Sequence, residues 1–359
     1  MNIYDSPSFD NHEQVVFCQD KNTGLKAIIA IHNTQLGPAL GGSRMYPYSK
    51  IEDAIEDVLR LSKGMTYKAS VANLNLGGGK AVIIGDPKKL GNEAFFRTFG
   101  RFVQSLSGRY ITAEDVGTST KFMEWTSQET DYAVGVPACF GGSGDPSPFT
   151  AHGTFVGIKA AWKKTTGKDS LKGVKISVQG IGNVGYNLCK ELHQEGAILY
   201  VNDVNESAVA KAVKEFSATA VLDADLYALD VDVYAPCALG ATINDKTIHQ
   251  LKCSVIAGAA NNQLAEEKKH GAALQKAGIL YTPDYVINAG GLINVSTEVF
   301  GGGAERAMGQ IEDIYSTLIR IFNLAEKEGI PTFAAANRIA EERIKNISLV
   351  KNIRLLDEV

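Results

Sequence analysis

The stretch Gly180-Ile181-Gly182-Asn183-Val184-Gly185 decides the fold of this 359-residue chain. It has the spacing GxGxxG, follows an apolar run at 174–179 that predicts a strand, and opens a segment at 183–194 that predicts a helix. In that context the first glycine permits a tight turn, the second lets a pyrophosphate approach the backbone, and the third lets the helix pack on the strand. Amide groups at a helix start bind phosphate oxygens. The sequence therefore predicts a dinucleotide site at Gly180, Gly182, Asn183, Val184 and Gly185.

An acidic residue at the end of the next predicted strand favours one dinucleotide. Asp203 follows an apolar run at 197–202 and lies 18 residues after Gly185. A carboxylate there accepts hydrogen bonds from the adenosine ribose hydroxyls and repels a 2′-phosphate, so we predict NAD rather than NADP as cofactor. The alternative is that Asp203 only caps the helix predicted at 206–216.

Strands and helices alternate around this turn, with strands predicted at 174–179, 197–202, 231–235 and 254–258, and helices at 150–164, 183–194, 206–216 and 264–277. Such alternation is typical of parallel strands joined by crossover helices. The glycine- and proline-rich segment 137–148 predicts a domain boundary. We therefore expect an α/β protein of two domains, the second of them Rossmann-type, with long helices at 305–328 and 333–347.

Composition excludes several classes of function. Hydrophobic residues make up 45% and charged residues 21% of the chain, which is ordinary for a globular protein, and the net charge of −4 argues against nucleic acid or an anionic membrane as partner. We find no secretory signal and no apolar run of about 20 residues that could span a bilayer. The five cysteines are scattered and the histidines lack metal-ligand spacing, so we predict a cytoplasmic protein without a metal site.

The first half of the chain holds the stretch Gly77-Gly78-Gly79-Lys80. Three glycines place no side chain over the backbone, so a flat molecule could approach there, with Lys80 at the lip of the space. Lys68 supplies a second cation from the end of a helix predicted to begin at Ile51. The alternative is a glycine turn between helix and strand that carries two solvated lysines.

Other elements of this half lead to a third charged residue. We predict a hairpin from runs at 14–18 and 26–32, a glycine-rich loop at 37–44, and strands at 81–87 and 110–113. Asp115 follows the last strand, where chemistry gathers in α/β sheets. Lys68 can bind a carboxylate, Lys80 can accept a proton and Asp115 can relay one, although each residue alone is more often a surface charge.

The chain resembles the glutamate/leucine/phenylalanine/valine dehydrogenase family, most closely its members that act on leucine. The likeness runs along nearly all of the chain and is carried by the segments 37–44 (GPALGGSR), 63–68 (KGMTYK), 76–80 (LGGGK), 112–117 (TAEDVG), 180–185 (GIGNVG) and 283–291 (PDYVINAGG).

The resemblance implies residue roles. Lys68 would bind the substrate α-carboxylate, Lys80 would activate the water that adds to the imine, and Asp115 would shuttle the amine proton. Asn262 would hold the substrate and the nicotinamide ribose, Thr150 would contact the nicotinamide amide, and Asn288 would lie in a loop near the active site.

The resemblance also implies a substrate. Glutamate-specific members carry a lysine where this chain has Leu40, and a serine where it has Val295. An apolar wall does not accommodate a second carboxylate, so a side-chain pocket lined by Leu40, Ala113, Leu292 and Val295 predicts leucine, valine or isoleucine. Gly41, next to Leu40, is a further predicted substrate-binding residue. Two alternatives remain: the same reaction on phenylalanine or tryptophan, and an inactive NAD-binding sensor.

The family likeness completes the domain assignment. Residues 1–145 with 333–359 would form the substrate-binding and oligomerisation domain, and 146–332 the NAD-binding domain. The expected partners are an amino acid or 2-oxo acid, ammonia, and further copies of the chain, an octamer being the commonest assembly among the leucine enzymes.

Overall fold

Two β-sheets organise the computed structural model, which describes residues 2–238 and 240–350. The sheets belong to two units of the chain, Met1–Gly144 with Arg338–Val359 (unit 1) and Asp145–Asn337 (unit 2).

The sheet of unit 1 has five strands in the order β1-β2-β4-β3-β5. The predicted hairpin is confirmed, because β1 and β2 pair antiparallel; β4 is antiparallel to β2, and β3 runs parallel to both β4 and β5. The strands are β1 (Gln14–Gln19), β2 (Lys26–Asn33), β3 (Ala39–Tyr46), β4 (Gly77–Ile84) and β5 (Tyr110–Glu114).

The prediction of a loop at 37–44 was wrong, because most of it is strand β3. Strand β4 lies so close to Gly41 that no side chain would fit, because a Cβ there would lie 1.7 Å from the carbonyl oxygen of Gly79 on β4. Glycine has a low strand propensity. Hydrogen bonding to β4 on one edge and to β5 on the other nevertheless stabilises β3 as a strand.

The stretch Gly77-Gly78-Gly79-Lys80 is also strand and not a turn open to a ligand. Its three glycines are buried, and the chain itself fills the space beside them. A Cβ on Gly78 would lie 2.1 Å from the amide nitrogen of Thr66, and one on Gly79 would lie 2.7 Å from the ring of Tyr110. The glycines therefore serve close packing within the sheet and against a helix.

That helix is α1 (Ile51–Val71), which buries Ala54, Ile55, Val58 and Leu59 on one sheet face. It extends to Val71 because Thr66, Ala69 and Ser70 continue the buried face. Lys68 lies in its last turn, where a cation suits the helix dipole. The other helices before Gly144, where the first segment of unit 1 ends, are α2 (Pro87–Leu90), α3 (Glu93–Gln104) and α4 (Thr120–Ser127). Of these, α3 packs on the opposite sheet face.

The sheet of unit 2 has six strands, all parallel, in the order β11-β10-β9-β6-β7-β8. The first strand of the unit lies in the middle and the order reverses beside it, which is the Rossmann arrangement. The strands are β6 (Lys175–Gln179), β7 (Ile198–Asn202), β8 (Thr219–Ala220), β9 (Val233–Pro236), β10 (Val255–Ile256) and β11 (Leu280–Tyr281). The predicted two-domain α/β class is confirmed.

Within residues 120–238 and 240–350, nine α-helices follow α4. They are α5 (Ser147–Thr166), α6 (Asn183–Gln194), α7 (Glu206–Phe216), α8 (Asp223–Leu226), α9 (Glu267–Lys276), α10 (Asp284–Ile287), α11 (Gly290–Phe300), α12 (Gly303–Glu328) and α13 (Thr332–Ser348). In unit 1, the part of α13 from Arg338 onward lies on α1: the Tyr67 hydroxyl donates to Glu341 Oε1 at 2.7 Å, and Ser70 Oγ donates to the Ala340 carbonyl at 2.8 Å. None of the helices in the described ranges is long and apolar enough to cross a membrane.

Candidate active site and dinucleotide site

A buried ion pair joins two of the predicted catalytic residues in unit 1. Lys80 Nζ lies 3.0 Å from Asp115 Oδ2, and their side chains are 7% and 21% exposed. Lys80 projects from β4 toward the face that α1 covers, and Asp115 follows the carboxyl end of β5. A lysine and a carboxylate held this way can exchange a proton with a substrate that reaches them.

Gly42, to which the sequence pattern alone assigns no role, lies directly beside Asp115. It lies on β3 between the strands that carry Lys80 and Ala113, with Ala113 as its partner in register. A Cβ at Gly42 would lie 2.8 Å from the Cβ of Asp115 and 2.5 Å from the Glu114 carbonyl oxygen. Because Gly42 has no side chain, Asp115 and the end of β5 can lie close against β3.

Two cations hold Asp115. Arg44 Nε lies 3.0 Å from Asp115 Oδ2, the same oxygen that Lys80 contacts. Burial alone would raise the pKa of the Asp115 carboxyl, but the charges of Lys80 and Arg44 outweigh burial and hold that pKa below its ordinary value. Asp115 is therefore ionised at neutral pH. Arg44 ends the glycine-rich segment 37–44, but nothing else in the sequence pointed to its contact with Asp115.

A contact between β4 and α1 determines where the two lysines lie. Gly78 on β4 packs against Thr66 on α1. Lys80 follows Gly78 by two residues along β4, and Lys68 follows Thr66 by two residues along α1. Lys68 is half-buried. The glycines predicted to admit a ligand thus bring a lysine-bearing helix against a lysine-bearing strand.

The predicted pocket residues of unit 1 lie on the same sheet. Leu40 is 2% exposed and is in register with Gly78 on β4, so it shares the sheet face of Lys80. Ala113 is buried and lies on that face as well, through its register with Gly42. The Gly41 carbonyl oxygen accepts a hydrogen bond from the Tyr110 hydroxyl at 2.7 Å on the opposite face.

In unit 2, the three glycines of the GxGxxG turn differ in what surrounds them. Gly180 has φ +96°, in the left-handed region that favours glycine. A Cβ on Gly185 would lie 1.9 Å from the Gly180 carbonyl oxygen, so the third glycine serves helix–strand packing. A Cβ on Gly182 would meet no atom within 4 Å. Open space at the second glycine, beside the exposed Asn183 at the start of α6, fits a bound pyrophosphate.

Asp203 lies beside this turn. One of its carboxylate oxygens accepts the Ile181 amide at 2.5 Å and the other accepts the Asn205 amide at 2.8 Å. The cap of α7 is Asn205, whose side chain accepts from the amides of Ser207 and Ala208. The capping alternative for Asp203 is therefore wrong, and its carboxylate follows β7 where a ribose would lie in a Rossmann site.

The other predicted residues of unit 2 form two groups. Asn288 is buried and donates from Nδ2 to the Ala259 carbonyl at 3.0 Å and to Asn261 Oδ1 at 2.7 Å, next to the exposed Asn262. Thr150 lies on α5 against the start of α11, since a Cβ on Gly291 would be 2.7 Å from its Oγ1.

Leu292 and Val295 lie three residues apart on α11, and both are buried. Residues three apart share one face of a helix, so these two side chains point the same way. The residue pattern of this segment did not predict a helix.

One group of potential metal ligands, Asp245, Glu266 and His270, is accounted for without a metal. His270 Nδ1 accepts the Glu266 amide, so the neutral ring carries its proton on Nε2, which faces Asp245 Oδ1 at 3.1 Å. Lys269 Nζ lies 2.7 Å from Asp245 and 3.4 Å from Glu266, so an ammonium already supplies the positive charge.

Comparison with known proteins points to one family. The family model "Glu/Leu/Phe/Val dehydrogenase, dimerisation domain" matches residues 12–132, and the model "Glutamate/Leucine/Phenylalanine/Valine dehydrogenase" matches residues 141–205 and 198–351.

Similar individual proteins cover nearly the whole chain. A leucine dehydrogenase of Bacillus subtilis is 59% identical over 337 residues, which are 94% of this chain and 92% of the relative. A leucine dehydrogenase of Thermoactinomyces intermedius is 55% identical over 358 residues, 100% of this chain and 98% of the relative. The crystal structure of L-tryptophan dehydrogenase from Nostoc punctiforme has a TM-score of 0.84 at 49% identity and covers 94% of this chain and 97% of its own.

Proposed function

This chain belongs to the Glu/Leu/Phe/Val dehydrogenase family, and from that premise we propose that it catalyses the NAD-dependent, reversible oxidative deamination of a branched-chain L-amino acid. The substrates are leucine, valine or isoleucine, and the products are the 2-oxo acid and ammonia. The observation that carries the proposal is the buried Lys80–Asp115 pair, because oxidation of an amine followed by hydrolysis needs a base and a proton shuttle at one carbon.

The residues of unit 1 divide the work. Lys68 binds the α-carboxylate of the substrate by a charge-assisted hydrogen bond. Lys80 takes a proton from the water that adds to the imine carbon, and in the reverse direction donates a hydrogen bond to the keto oxygen. Asp115, ionised beside Lys80, receives and returns the proton of the amino group.

The residues of unit 2 hold NAD, which when bound accepts a hydride from the substrate α-carbon. The open space at Gly182 and the first amides of α6, at Asn183 and Val184, receive the pyrophosphate. Asp203 binds the adenosine ribose and disfavours a 2′-phosphate. Thr150, Asn262 and Asn288 are proposed to position the nicotinamide and its ribose.

Apolar residues are proposed to select the substrate side chain. Leu40 and Ala113 in unit 1, and Leu292 and Val295 in unit 2, are buried and offer no charge to a second carboxylate. Because one methylene changes binding to apolar residues by only about 1–3 kcal/mol, turnover of leucine, valine and isoleucine is expected to overlap.

Oxidation of aromatic amino acids is the second candidate, favoured by the 49% identity to the tryptophan enzyme. The 55–59% identity to two leucine dehydrogenases ranks it lower. An inactive NAD-binding sensor would not need the buried Lys80–Asp115 pair.

Three further assignments belong to the proposal. Residues 1–145 and 333–359 form the substrate-binding and oligomerisation domain and 146–332 the NAD-binding domain, although residues 351–359 lie outside the described ranges; the break between units after Gly144 supports this division.

The match of 12–132 to a dimerisation domain supports self-association, for which we propose an octamer. The five unpaired cysteines support a cytoplasmic location.

A substrate panel tests the function. NADH formation is followed at alkaline pH with leucine, valine, isoleucine, phenylalanine, tryptophan and glutamate, each with NAD and with NADP. We expect the three branched-chain substrates to have the highest kcat/KM, with NAD preferred. A higher kcat/KM for an aromatic substrate would contradict the side-chain assignment, and no turnover of any of them would support the sensor.

A further inference from the structure

Arg44 stands at the centre of the charged cluster in unit 1, and the proposed mechanism gives it no role. Its Nε lies 3.0 Å from Asp115 Oδ2, and its Nη1 lies 2.9 Å from Asp57 Oδ2 on α1. The arginine side chain is 22% exposed. A planar guanidinium that donates to two carboxylates in fixed directions is a geometry that lysine does not reproduce.

Asp57 is itself held in place. Its Oδ2 accepts the Tyr48 hydroxyl at 2.5 Å, and its Oδ1 lies 2.8 Å from Arg60 Nη2. Burial raises the pKa of Asp57, but the hydrogen bond from Tyr48 and the charge of Arg44 leave that pKa below its ordinary value. Asp57 is thus a fixed anion that orients the far end of Arg44.

We propose that Arg44 is a positioning residue for the reaction: it ties Asp115 to helix α1 through Asp57 and divides the charge of the Asp115 carboxylate between itself and Lys80. This inference rests on the proposed function, because it concerns how the Lys80–Asp115 pair is tuned for proton transfer.

The tuning follows from shared contacts. Lys80 Nζ and Arg44 Nε both lie 3.0 Å from Asp115 Oδ2. A carboxylate that faces one cation binds it strongly, whereas a carboxylate shared with a second, permanent cation binds each of them less strongly. Arg44 thereby takes part of the Asp115 charge away from Lys80, the proposed base.

The charge of Asp57 acts in the opposite sense. Asp57 is an anion on the far side of Arg44. Its negative charge partly cancels the electrostatic effect that the positive charge of Arg44 has on Lys80. Tyr48 and Arg60 also contact Asp57. Removal of Arg44 and removal of the Asp57 charge should therefore move the acidic limb of the pH profile in opposite directions.

The test is the pH profile of kcat/KM for leucine with NAD between pH 7 and 11. Arg44→Gln should move the acidic limb to higher pH by about one unit, since two charges no more than about 6 Å apart interact by about that much in a partly hydrated site. Arg44→Lys keeps the charge, so it should lower kcat/KM at every pH and leave the limb in place. Asp57→Asn should move the limb to lower pH.

A matched control is Arg97→Gln. Arg97 lies on α3 and also pairs with a carboxylate, because its Nη2 lies 2.5 Å from Glu129 Oε1. Helix α3 packs on the opposite face of the sheet. Its pH profile should match that of the wild type. Far-UV circular dichroism and thermal melting establish which variants fold.

An unchanged acidic limb in Arg44→Gln would overturn the inference, because loss of structure alone lowers kcat/KM equally at all pH values. If Arg44→Gln does not fold, an unchanged limb in Asp57→Asn overturns it instead. A wild-type enzyme that fails to oxidise leucine would overturn the proposed function, which distinguishes that failure from failure of the role assigned to Arg44.

Discussion

The substitution Gly42→Ala adds one methyl group directly against Asp115, the ion-pair partner of Lys80. The new Cβ would lie 2.5 Å from the Glu114 carbonyl oxygen and 2.8 Å from the Asp115 Cβ. The carbonyl oxygen is backbone, and Asp115 is held by Lys80 and Arg44. No flexible side-chain end is available to move aside, so the end of β5 must shift.

The size of that shift sets the expected loss. Ordinary van der Waals contact begins at 3.4 Å, so the two atoms must retreat by about 0.6–0.9 Å. A misplacement of about 1 Å at a catalytic group costs about 100-fold in rate. We therefore expect kcat for leucine to fall roughly 30- to 100-fold, with a stability loss of about 1–3 kcal/mol from overpacking.

The assay is steady-state kinetics with leucine at saturating NAD, together with NAD binding and thermal melting. NAD binding should be unchanged, because the glycine turn belongs to unit 2. The control is Gly309→Ala on α12, where an added Cβ meets no atom within 4 Å; it should leave kcat unchanged and stabilise the helix by about 1 kcal/mol. A Gly42→Ala enzyme that folds and retains kcat within threefold would refute the reasoning.

Three further predictions concern unit 2. Gly182→Ala should fold normally yet weaken NAD binding at least tenfold, whereas Gly185→Ala should lower the melting temperature sharply, because only the second methyl group meets backbone; calorimetric NAD titration and thermal melting measure the two effects. Asp203→Ser should lower the ratio of kcat/KM for NAD to that for NADP at least tenfold, since it removes the carboxylate that repels a 2′-phosphate; an unchanged ratio would count against its role. Hydrogen bonds to two glutamates raise the pKa of His152 to about 9 from an ordinary 6.5, so its stabilisation is complete below pH 6.5 and is lost as the pH rises through 9. Allowing for solvent screening, the wild type should lose about 1–2 kcal/mol more than His152→Gln between pH 7 and 10, measured by chemical denaturation, and equal losses would contradict the assignment.

The dinucleotide turn could be predicted from sequence because its determinants are local. Gly180, Gly182 and Gly185 lie within six residues, between a strand and a helix whose apolar patterns are regular. Helices α6 and α7 have the predicted bounds, since each has clear polar residues at its start. Asp203 follows the turn after one helix and one strand, α6 and β7, so its position could also be predicted from the pattern.

The elements that escaped prediction depend on distant neighbours. Strand β3 has a loop composition, and only its two parallel partners make it a strand. Helix α11 begins with two glycines, which have low helix propensity, but their lack of side chains admits the backbone of Phe149 and Thr150 from α5. Strands β8 and β11 have two residues each, too short for a periodic pattern.

The charged cluster of unit 1 could be predicted only in part. Lys68, Lys80 and Asp115 were singled out as residue types and by the family resemblance, and the contact of Lys80 with Asp115 joins positions 35 residues apart. The roles of Gly42, Arg44 and Asp57 in that cluster depend on strand register and on the packing of α1, neither of which a residue pattern reveals.

The most direct test of the central claim compares the wild-type chain with Lys80→Ala in leucine-dependent NADH and ammonia formation at alkaline pH. The account predicts equal amounts of NADH and ammonia from the wild type, and a loss of several orders of magnitude in kcat for Lys80→Ala with the Kd for NAD unchanged. Near-normal turnover by Lys80→Ala would contradict the assignment of Lys80 as the base that carries the reaction.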